Sequence, residues 1–593
     1  MKKLILLIYI ASFSTSLFAQ KWAWASEPQS PVSFLSDTWA GDHYVTVDRQ
    51  GDVYSTGYFH GSISFGSYAL SSHSTWNMYL AKYDSSGKVL WATAGKMPDT
   101  LSSAIANSVA VDAVGDVYVT GSFIDTVNFG VIRLTEQSGL TKPPGDTSLG
   151  DFYITKYDAN GNVLWAQKAL QASSACSGKG VSVAADAAGN AYVAGNYIDT
   201  LTFGTFKLTG TGRMFLAKYD ANGNVLWAKQ DAGISTGDSL TSVAIDAAGN
   251  AYITGVFKGT LNFGAFSNTT TASFGDVFLV KYDANGNVVW ATSANGGLFG
   301  IFPFTGSSVA VDGADNIYVT GCFIKTMTFG AYSLNASPDN YGTYLVKYNS
   351  KGNVIWAESG GGNCLGYSLA CDTLKRGGCY MVMSNSYNST PNQTDKINFG
   401  ADTFSLNTSG SATVLMRLDS AGHVSCGSIL SEGDEDDGDA VGVDPSGRYV
   451  YMGGDLDDTT IFSKDTLVHG GDYAFIARWL TCGDTIQSNQ LQQQKQPIDS
   501  LTSCVYYIPN AFSPNGDNHN DKEYVYSDCI NTMDLNIYDR WGNKVFESTN
   551  IKYGWDGTYK GLAMNTGSFA YYLTATFQDG ATINKKGNIA LVR

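Results

Sequence analysis

Residues 189–197 read GNAYVAGNY and residues 249–257 read GNAYITGVF. The same phrase stands at Gly51 (GDVYSTGYF), Gly115 (GDVYVTGSF) and Asp315 (DNIYVTGCF), with weaker copies around Tyr380 and Tyr451. Its tyrosines, Tyr54, Tyr118, Tyr192, Tyr252, Tyr318, Tyr380 and Tyr451, are 64, 74, 60, 66, 62 and 71 residues apart, a period regular to within loop length. A phenylalanine follows at 11 residues in six copies (Phe65, Phe129, Phe203, Phe263, Phe329, Phe462), while in the sixth copy Phe399 stands 19 residues on.

Around the phrase, each copy reads as four strands. In the third they are expected at 181–185, 191–197, 215–220 and 224–228, rich in Val, Tyr, Phe and Trp and bounded by Gly, Asn and Asp. The tightest join, DANGN at Asp158, Asp220 and Asp283, has the Asn-Gly pair whose positive φ a hairpin turn demands. A four-stranded sheet apolar on both faces cannot stand alone in water, so the copies must sandwich one another. Radial closure does this with the fewest exposed edges, whereas an array of separate units of about 66 residues would leave each with a marginal core. The predicted fold is therefore all-β: a seven-bladed β-propeller over residues 20–482, a polar linker over 483–503 with its Gln-rich run, and a small C-terminal β-sandwich over 504–593.

The ends of the repeat region point to the same closure. Copies one to five finish on a Trp strand, at Trp91, Trp165, Trp227, Trp290 and Trp356, and Cys426 stands at that place in the sixth. The seventh lacks such a strand, while Lys21-Trp22-Ala23-Trp24-Ala25 has the right pattern and no unit in front of it. The N-terminal segment is thus expected to complete the last sheet.

Composition narrows the function classes. The chain has 593 residues, 66 Gly, 35 Tyr and only 15% charged residues, which suits short strands and tight turns. A net charge of -16 lacks the basic field that a nucleic-acid partner requires. Residues 1–19, with Lys2-Lys3, an apolar run and Ala19, have the layout of a cleaved secretory signal, and no later stretch approaches the roughly 20 apolar residues of a membrane helix. Nine Cys fit an exported chain, but they cluster late, so any bridges are local additions. Cys504 and Cys529 are the one suggested pair, tying together the first strands of the last domain.

The G-N-x-Y-v-T-G, F-G and K-Y-D-x-x-G-x-x-x-W-A elements resemble the bacterial β-propeller repeat family, which implies an exported propeller and no common activity. The last segment is similar to the gliding-motility-associated C-terminal domain. The matching elements are Pro509-Asn510-Ala511-Phe512, Pro514-Asn515-Gly516-Asp517, Ile537-Tyr538-Asp539-Arg540-Trp541-Gly542, Gly554-Trp555-Asp556-Gly557 and Lys586-Gly587-Asn588. That resemblance implies export by the type IX secretion route of the Bacteroidota, hence a secreted or outer-surface location and the type IX machinery as a partner.

Candidate chemistry is sparse. Asn515, Asp517 and Asp521, with Asn520, place oxygen ligands as a Ca²⁺ loop would, but lack the bidentate Glu of an EF-hand, and Asx-rich turns also cap their own backbone. The acidic run Glu432, Asp434, Glu435, Asp436, Asp437 and Asp439, with Asp455, Asp457 and Asp458 in the next unit, reads as a solvated loop or a surface cation site. The six His (His43, His60, His73, His423, His469, His519) show no ligand spacing, and no G-x-S-x-G elbow is present. Asp112, Asp186, Asp246 and Asp312 recur at a turn, and the recurring Trp and Tyr suit packing between sheets before sugar stacking. No catalytic residue and no cofactor other than Ca²⁺ is indicated. The reading is a binding or adhesion scaffold for a glycan or protein; the alternative is a secreted hydrolase or lyase that attacks polysaccharide with carboxylates.

Overall fold

The computed structural model describes residues 22–26, 39–72, 74, 76–136, 150–171, 177–209, 213–232, 238–272, 275–297, 308–336, 341–361, 364–373, 378–385, 396–400, 402–405, 412–430, 437–456, 460–462, 465–467, 473–479, 508, 511–514, 522, 525, 530–577 and 582–592. Every regular element among them is a strand. The chain divides into two compact units, 1–486 and 487–593. The expected signal segment and the expected linker lie outside the described residues.

The third copy shows how the phrase folds. Ala191–Ile198 pairs antiparallel with Ser177–Ala185 on one side and with Met214–Tyr219 on the other, and the latter pairs with Val225–Gln230. Along Ala191–Ile198 successive side chains alternate between two hydrophobic clusters. Ala191, Val193, Phe215 and Ala217 pack with Tyr118 of the copy before, whereas Tyr192, Ala194, Met214 and Leu216 pack with Ile253 and Phe278 of the copy after. A strand buried on both faces in this way explains a run of apolar residues without polar alternation.

The same order, from first strand to fourth, recurs along the chain. Among the described residues six sheets are four-stranded, and the same four-strand order, Ser308–Val311, Ile317–Phe329, Tyr341–Tyr348 and Val354–Gly361, sits inside an eight-stranded one. The first strands of successive copies lie side by side. The last, Asp437–Val443, lies against the first, Trp39–Val47, and Tyr451 Oη donates to Gly51 O at 2.7 Å across this seam. One hydrophobic cluster spans it, with Val45, Val47 and Val53 from the beginning of the ring and Ala440, Tyr451 and Ile476 from its end. The ring is closed, as a β-propeller requires.

The closing strand is the expected one. Trp22–Ser26 pairs antiparallel with Tyr473–Trp479 (Trp22 opposite Trp479, Ala25 opposite Ala477) as the fourth strand of the last sheet.

One feature of each copy has no counterpart among the four strands that the sequence pattern suggests. Between the second and third strands most copies add a two-stranded ribbon, such as Leu201–Phe203 with Phe206–Leu208, turning at Gly204 with φ 56°. The repeated Phe fastens it: Phe203 is buried 4.9 Å from Phe215, Phe129 lies 5.0 Å from Tyr153, and Phe329 lies 5.0 Å from Tyr344. In the sixth copy the ribbon is Lys396–Phe399 with Asp402–Ser405, so its Phe keeps this place despite the longer spacing.

In the second unit a five-stranded sheet runs Ala511–Phe512, Thr582–Leu591, Gly567–Phe577, Ile530–Tyr538, Lys544–Ser548, with a small ribbon of Thr558–Tyr559 and Leu562–Ala563. Only the pair of Ala511–Phe512 with Thr582–Leu591 is parallel among the described strands of this sheet. Trp555 fills the core, with ring centroids 5.3 Å from Phe512 and 4.7 Å from Phe569. The described residues thus give one main β layer of the expected sandwich.

Candidate functional site

A residue repeated in every copy can serve the frame or a ligand, so the first question is what the repeated residues already hold. The recurring Asp is a turn former: Asp112 Oδ1 accepts from the backbone of Val114 and Asp116, both at 3.0 Å, and Asp246 Oδ1 does the same for Ala248 and Asn250. Its second oxygen receives the buried Tyr of the phrase, Tyr118 to Asp112 at 3.1 Å and Tyr252 to Asp246 at 3.0 Å. The Lys of the K-Y-D element stands over that ring, with Lys156 Nζ 4.9 Å from the Tyr118 centroid and 3.6 Å from Asp112. Burial, then the Asp246 charge, pushes the Tyr252 phenol well up, so it remains a donor. Burial also works against the Asp246 carboxylate, but hydrogen bonds from Asn250 and Tyr252, with Lys281, hold it below the usual value.

The same groups also reach across to the next copy. Tyr118 Oη donates to Gly189 O at 2.7 Å, Tyr192 Oη to Gly249 O at 2.9 Å and Tyr380 Oη to Gly447 O at 3.3 Å. The fourth-strand Trp makes a second latch: the indole N–H groups of Trp24, Trp91, Trp165, Trp227, Trp290 and Trp356 donate to Ser85, Ala159, Ala221, Ala284, Ser350 and Ser420 carbonyls at 3.0–3.2 Å. Each ring lies flat on the hairpin glycine beside that carbonyl. Gly223 and Gly286 have φ of 83° and 78°, and a Cβ at either would come 2.8 Å from the Trp165 or Trp227 ring. These glycines therefore serve both turn and packing. A third latch runs along the first strands, where Ser108, Ser182, Ser242, Ser308 and Ser368 accept the backbone N–H of Val183, Val243, Val309, Leu369 and Val441 at 3.1–3.2 Å.

The Trp latch carries a direct expectation. Trp227 is 7% exposed, tilted edge-on to Tyr192 at 6.1 Å, and hydrogen-bonded to the next sheet. Trp227→Ala should cost about 3–5 kcal/mol in equilibrium unfolding, as for other large-to-small core changes. An unchanged unfolding curve would contradict the packing role.

Beside four of these serines, Ser108, Ser182, Ser242 and Ser368, and at the matching place before Ala440, the first strand carries a β-bulge, an extra residue that no partner opposes. Register skips across Ala106/Ser108, Gly180/Ser182, Leu240/Ser242, Gly366/Ser368 and Gly438/Ala440. The extra residues are Asn107, Val181, Thr241, Tyr367 and Asp439, all partly exposed. Bulges re-aim side chains and are frequent beside binding sites. Asn107 Nδ2 donates to Gly180 O at 2.8 Å and Thr241 Oγ1 to Thr254 O at 3.2 Å, so these groups also tie neighbouring backbone. Here the repeat is regular in geometry and irregular in chemistry: an amide, an aliphatic chain, two hydroxyls and a carboxylate stand at one structural position on the ring's inner strands. Such a set can hydrogen-bond and stack on a polar ligand.

The other sequence candidates fall as follows. Asn515, Asp517, Asn520 and Asp521 lie outside the described residues, as do Glu432, Asp434, Glu435, Asp436, Asp457 and Asp458, and both Cys504 and Cys529. Asp437 and Asp455 are brought together as opposite residues of paired strands, with Asp439 at the bulge between them and the serine-latched neighbour. His60 lies 6.1 Å from Trp76, and His423 is exposed with Nδ1 3.6 Å from Asp419. The side chain of His43, and His73, His469 and His519, are not among the described residues. Among the described residues no three His, Cys, Asp or Glu side chains gather as a metal site, and no helix is long and apolar enough to cross a membrane.

A closed ring of four-stranded sheets latched by Asp, Tyr and Trp makes the first unit a β-propeller repeat protein. Over 371 residues the chain is 25% identical to an uncharacterized WD repeat-containing protein of Acanthamoeba polyphaga mimivirus; the match takes in 51% of this chain and 26% of that protein, so the chain spans about a quarter of its relative. Solved structures to which the chain is similar include a protein from Lactobacillus plantarum (TM-score 0.33, 10% identity, 75% of this chain and 100% of that one). Another is a protein of unknown function from Dyadobacter fermentans (TM-score 0.33, 9% identity, 77% and 99%). The second unit is more specific. Residues 506–591 match the CHU_C Type IX secretion signal domain, which marks the chain for handling by the type IX secretion system and for the cell surface or the medium.

Proposed function

We propose that the chain is a surface or secreted binding scaffold: a signal peptide over 1–19, a seven-bladed propeller over 20–482 that engages a glycan or protein, a linker over 483–503, and a sorting domain over 504–593. The observation that supports it is the division of labour along the first strands. The repeated Ser, Asp, Tyr, Lys and Trp are engaged in turns and latches, whereas the bulged residues Asn107, Val181, Thr241, Tyr367 and Asp439 vary in chemistry on a fixed frame. Variation on a rigid frame is how binding surfaces diversify. A carboxylate hydrolase needs two carboxyl groups about 5–10 Å apart, and the bulge positions supply one, Asp439. Binding is therefore the preferred reading.

A glycan array probed with the mature chain, beside the double variant Asn107→Ala/Tyr367→Ala, tests the reading. The expected result is selective retention of one glycan class that the double variant loses while still folding. Retention unchanged in the folded variant would move the site elsewhere, and shortening of an array polysaccharide would favour the hydrolase.

A further inference from the structure

The last residue of each first strand faces the start of the second strand, and six copies fill this place with an aliphatic pair: Val47 with Val53, Val111 with Val117, Ala185 with Ala191, Ile245 with Ala251, Val311 with Ile317 and Val443 with Val450. The sixth copy has Cys371 opposite Cys379. Both are buried free thiols, in a cluster with Leu369, Met381, Met416 and Leu418. They face one another closely enough to share a hydrogen bond. Directly opposed strand residues hold their Cβ atoms about 4.5–5.5 Å apart, at the outer edge of the roughly 3.5–4.5 Å that a disulfide spans. Cys426, on the fourth strand of the same sheet, is already disulfide-bonded. The secretion signal of the second unit takes the chain out of the reducing cytoplasm.

From these observations we infer that Cys371 and Cys379 are joined by a cross-strand disulfide in the exported protein, a modification that closes the first hairpin of the sixth sheet covalently. Two S–H bonds break and one Sγ–Sγ bond forms. The oxidant is an incoming thiol–disulfide oxidoreductase: its own S–S bond breaks, it takes up the two electrons and the two protons, and it leaves as the dithiol. Burial, with Cys379 alongside, pushes the Cys371 thiol well up, so thiolate is scarce once the sheets have stacked. The bond is therefore made before the sixth sheet is covered by its neighbours.

Lys375 and Arg376 lie between the two cysteines, so trypsin separates them unless the disulfide holds the pieces together. The full chain is recovered from the medium or cell surface, its free thiols are blocked under denaturing conditions, and it is digested without reductant and analysed by mass spectrometry. The expected result is that the peptides carrying Cys371 and Cys379 run as one linked species that reduction splits. The linkage persists in Cys364→Ser, whose residue shares a tryptic peptide with Cys371, and disappears in Cys371→Val, which restores the residue type of the other copies. Blocked thiols at both positions of the exported wild type, or a linkage that survives Cys371→Val, would overturn the assignment.

Discussion

A chain that begins at Glu27 is expected to unfold at a clearly lower temperature than one that begins at Gln20. Removing Trp22–Ser26 strips the last sheet of its fourth strand and exposes the edge of Tyr473–Trp479. It also removes Trp24, which is 8% exposed, stands 6.4 Å from Tyr83 and 5.7 Å from Tyr451, and donates to Ser85 O at 3.1 Å. Tyr83 and Ser85 belong to the first complete sheet and Tyr451 to the last, so this side chain binds the seam from both sides. Losing a buried Trp costs about 3–5 kcal/mol, and each lost strand hydrogen bond adds about 1 kcal/mol. In a solenoid-like array the interfaces carry the stability, and opening one interface of a ring releases the two copies that flank it. The check is a pair of thermal melts followed by near-ultraviolet circular dichroism, which reports on the aromatic latches. Coincident melts would mean that the segment does not close the ring.

How much of this was legible in the sequence depended on how far apart the partners lie. The tyrosine period gave the sheets, because each phrase is a complete local unit of strand and turn. The Trp24 strand was readable by elimination, since the seventh copy lacks a Trp strand and the segment before the first copy has one. The recurring Asp was correctly expected at a turn, because its acceptor role stays within four residues, as between Asp112 and Asp116. Its other half was hidden: Tyr118 donates to Gly189, 71 residues away, and no local pattern announces a cross-copy bond. The Phe ribbons escaped because strands of three or four residues are too short to show alternation, so Phe203 registered as a spacing and not as an element. The bulged residues escaped for another reason. An extra residue shifts the phase of a strand by one, and in SAIANSVAV the resulting pattern resembles ordinary strand sequence. The signal that marks it is the S-V-A-x-D run beginning at Ser108, Ser182 and Ser242, whose preceding residues are the bulged Asn107, Val181 and Thr241.

Export is the claim on which the rest depends, because a propeller that never reaches the surface binds nothing there. A signal peptide carries a chain across one membrane, and a cell with two needs a further address. The second unit has its own core, built on Trp555, Phe512 and Phe569, and residues 506–591 match a type IX secretion signal domain, so it can act as an address apart from the propeller. Its exposed Trp541, at a hairpin turn held by Asp539, shows that not all of its aromatic residues serve the core. The most direct measurement is fractionation of cells that contain the type IX machinery and express either the full chain or a chain lacking 504–593. The account predicts that the shortened propeller is folded and retained in the periplasm, while residues 504–593 fused to an exported reporter carry that reporter to the surface or the medium. Surface delivery of the shortened chain at the level of the full one would contradict it.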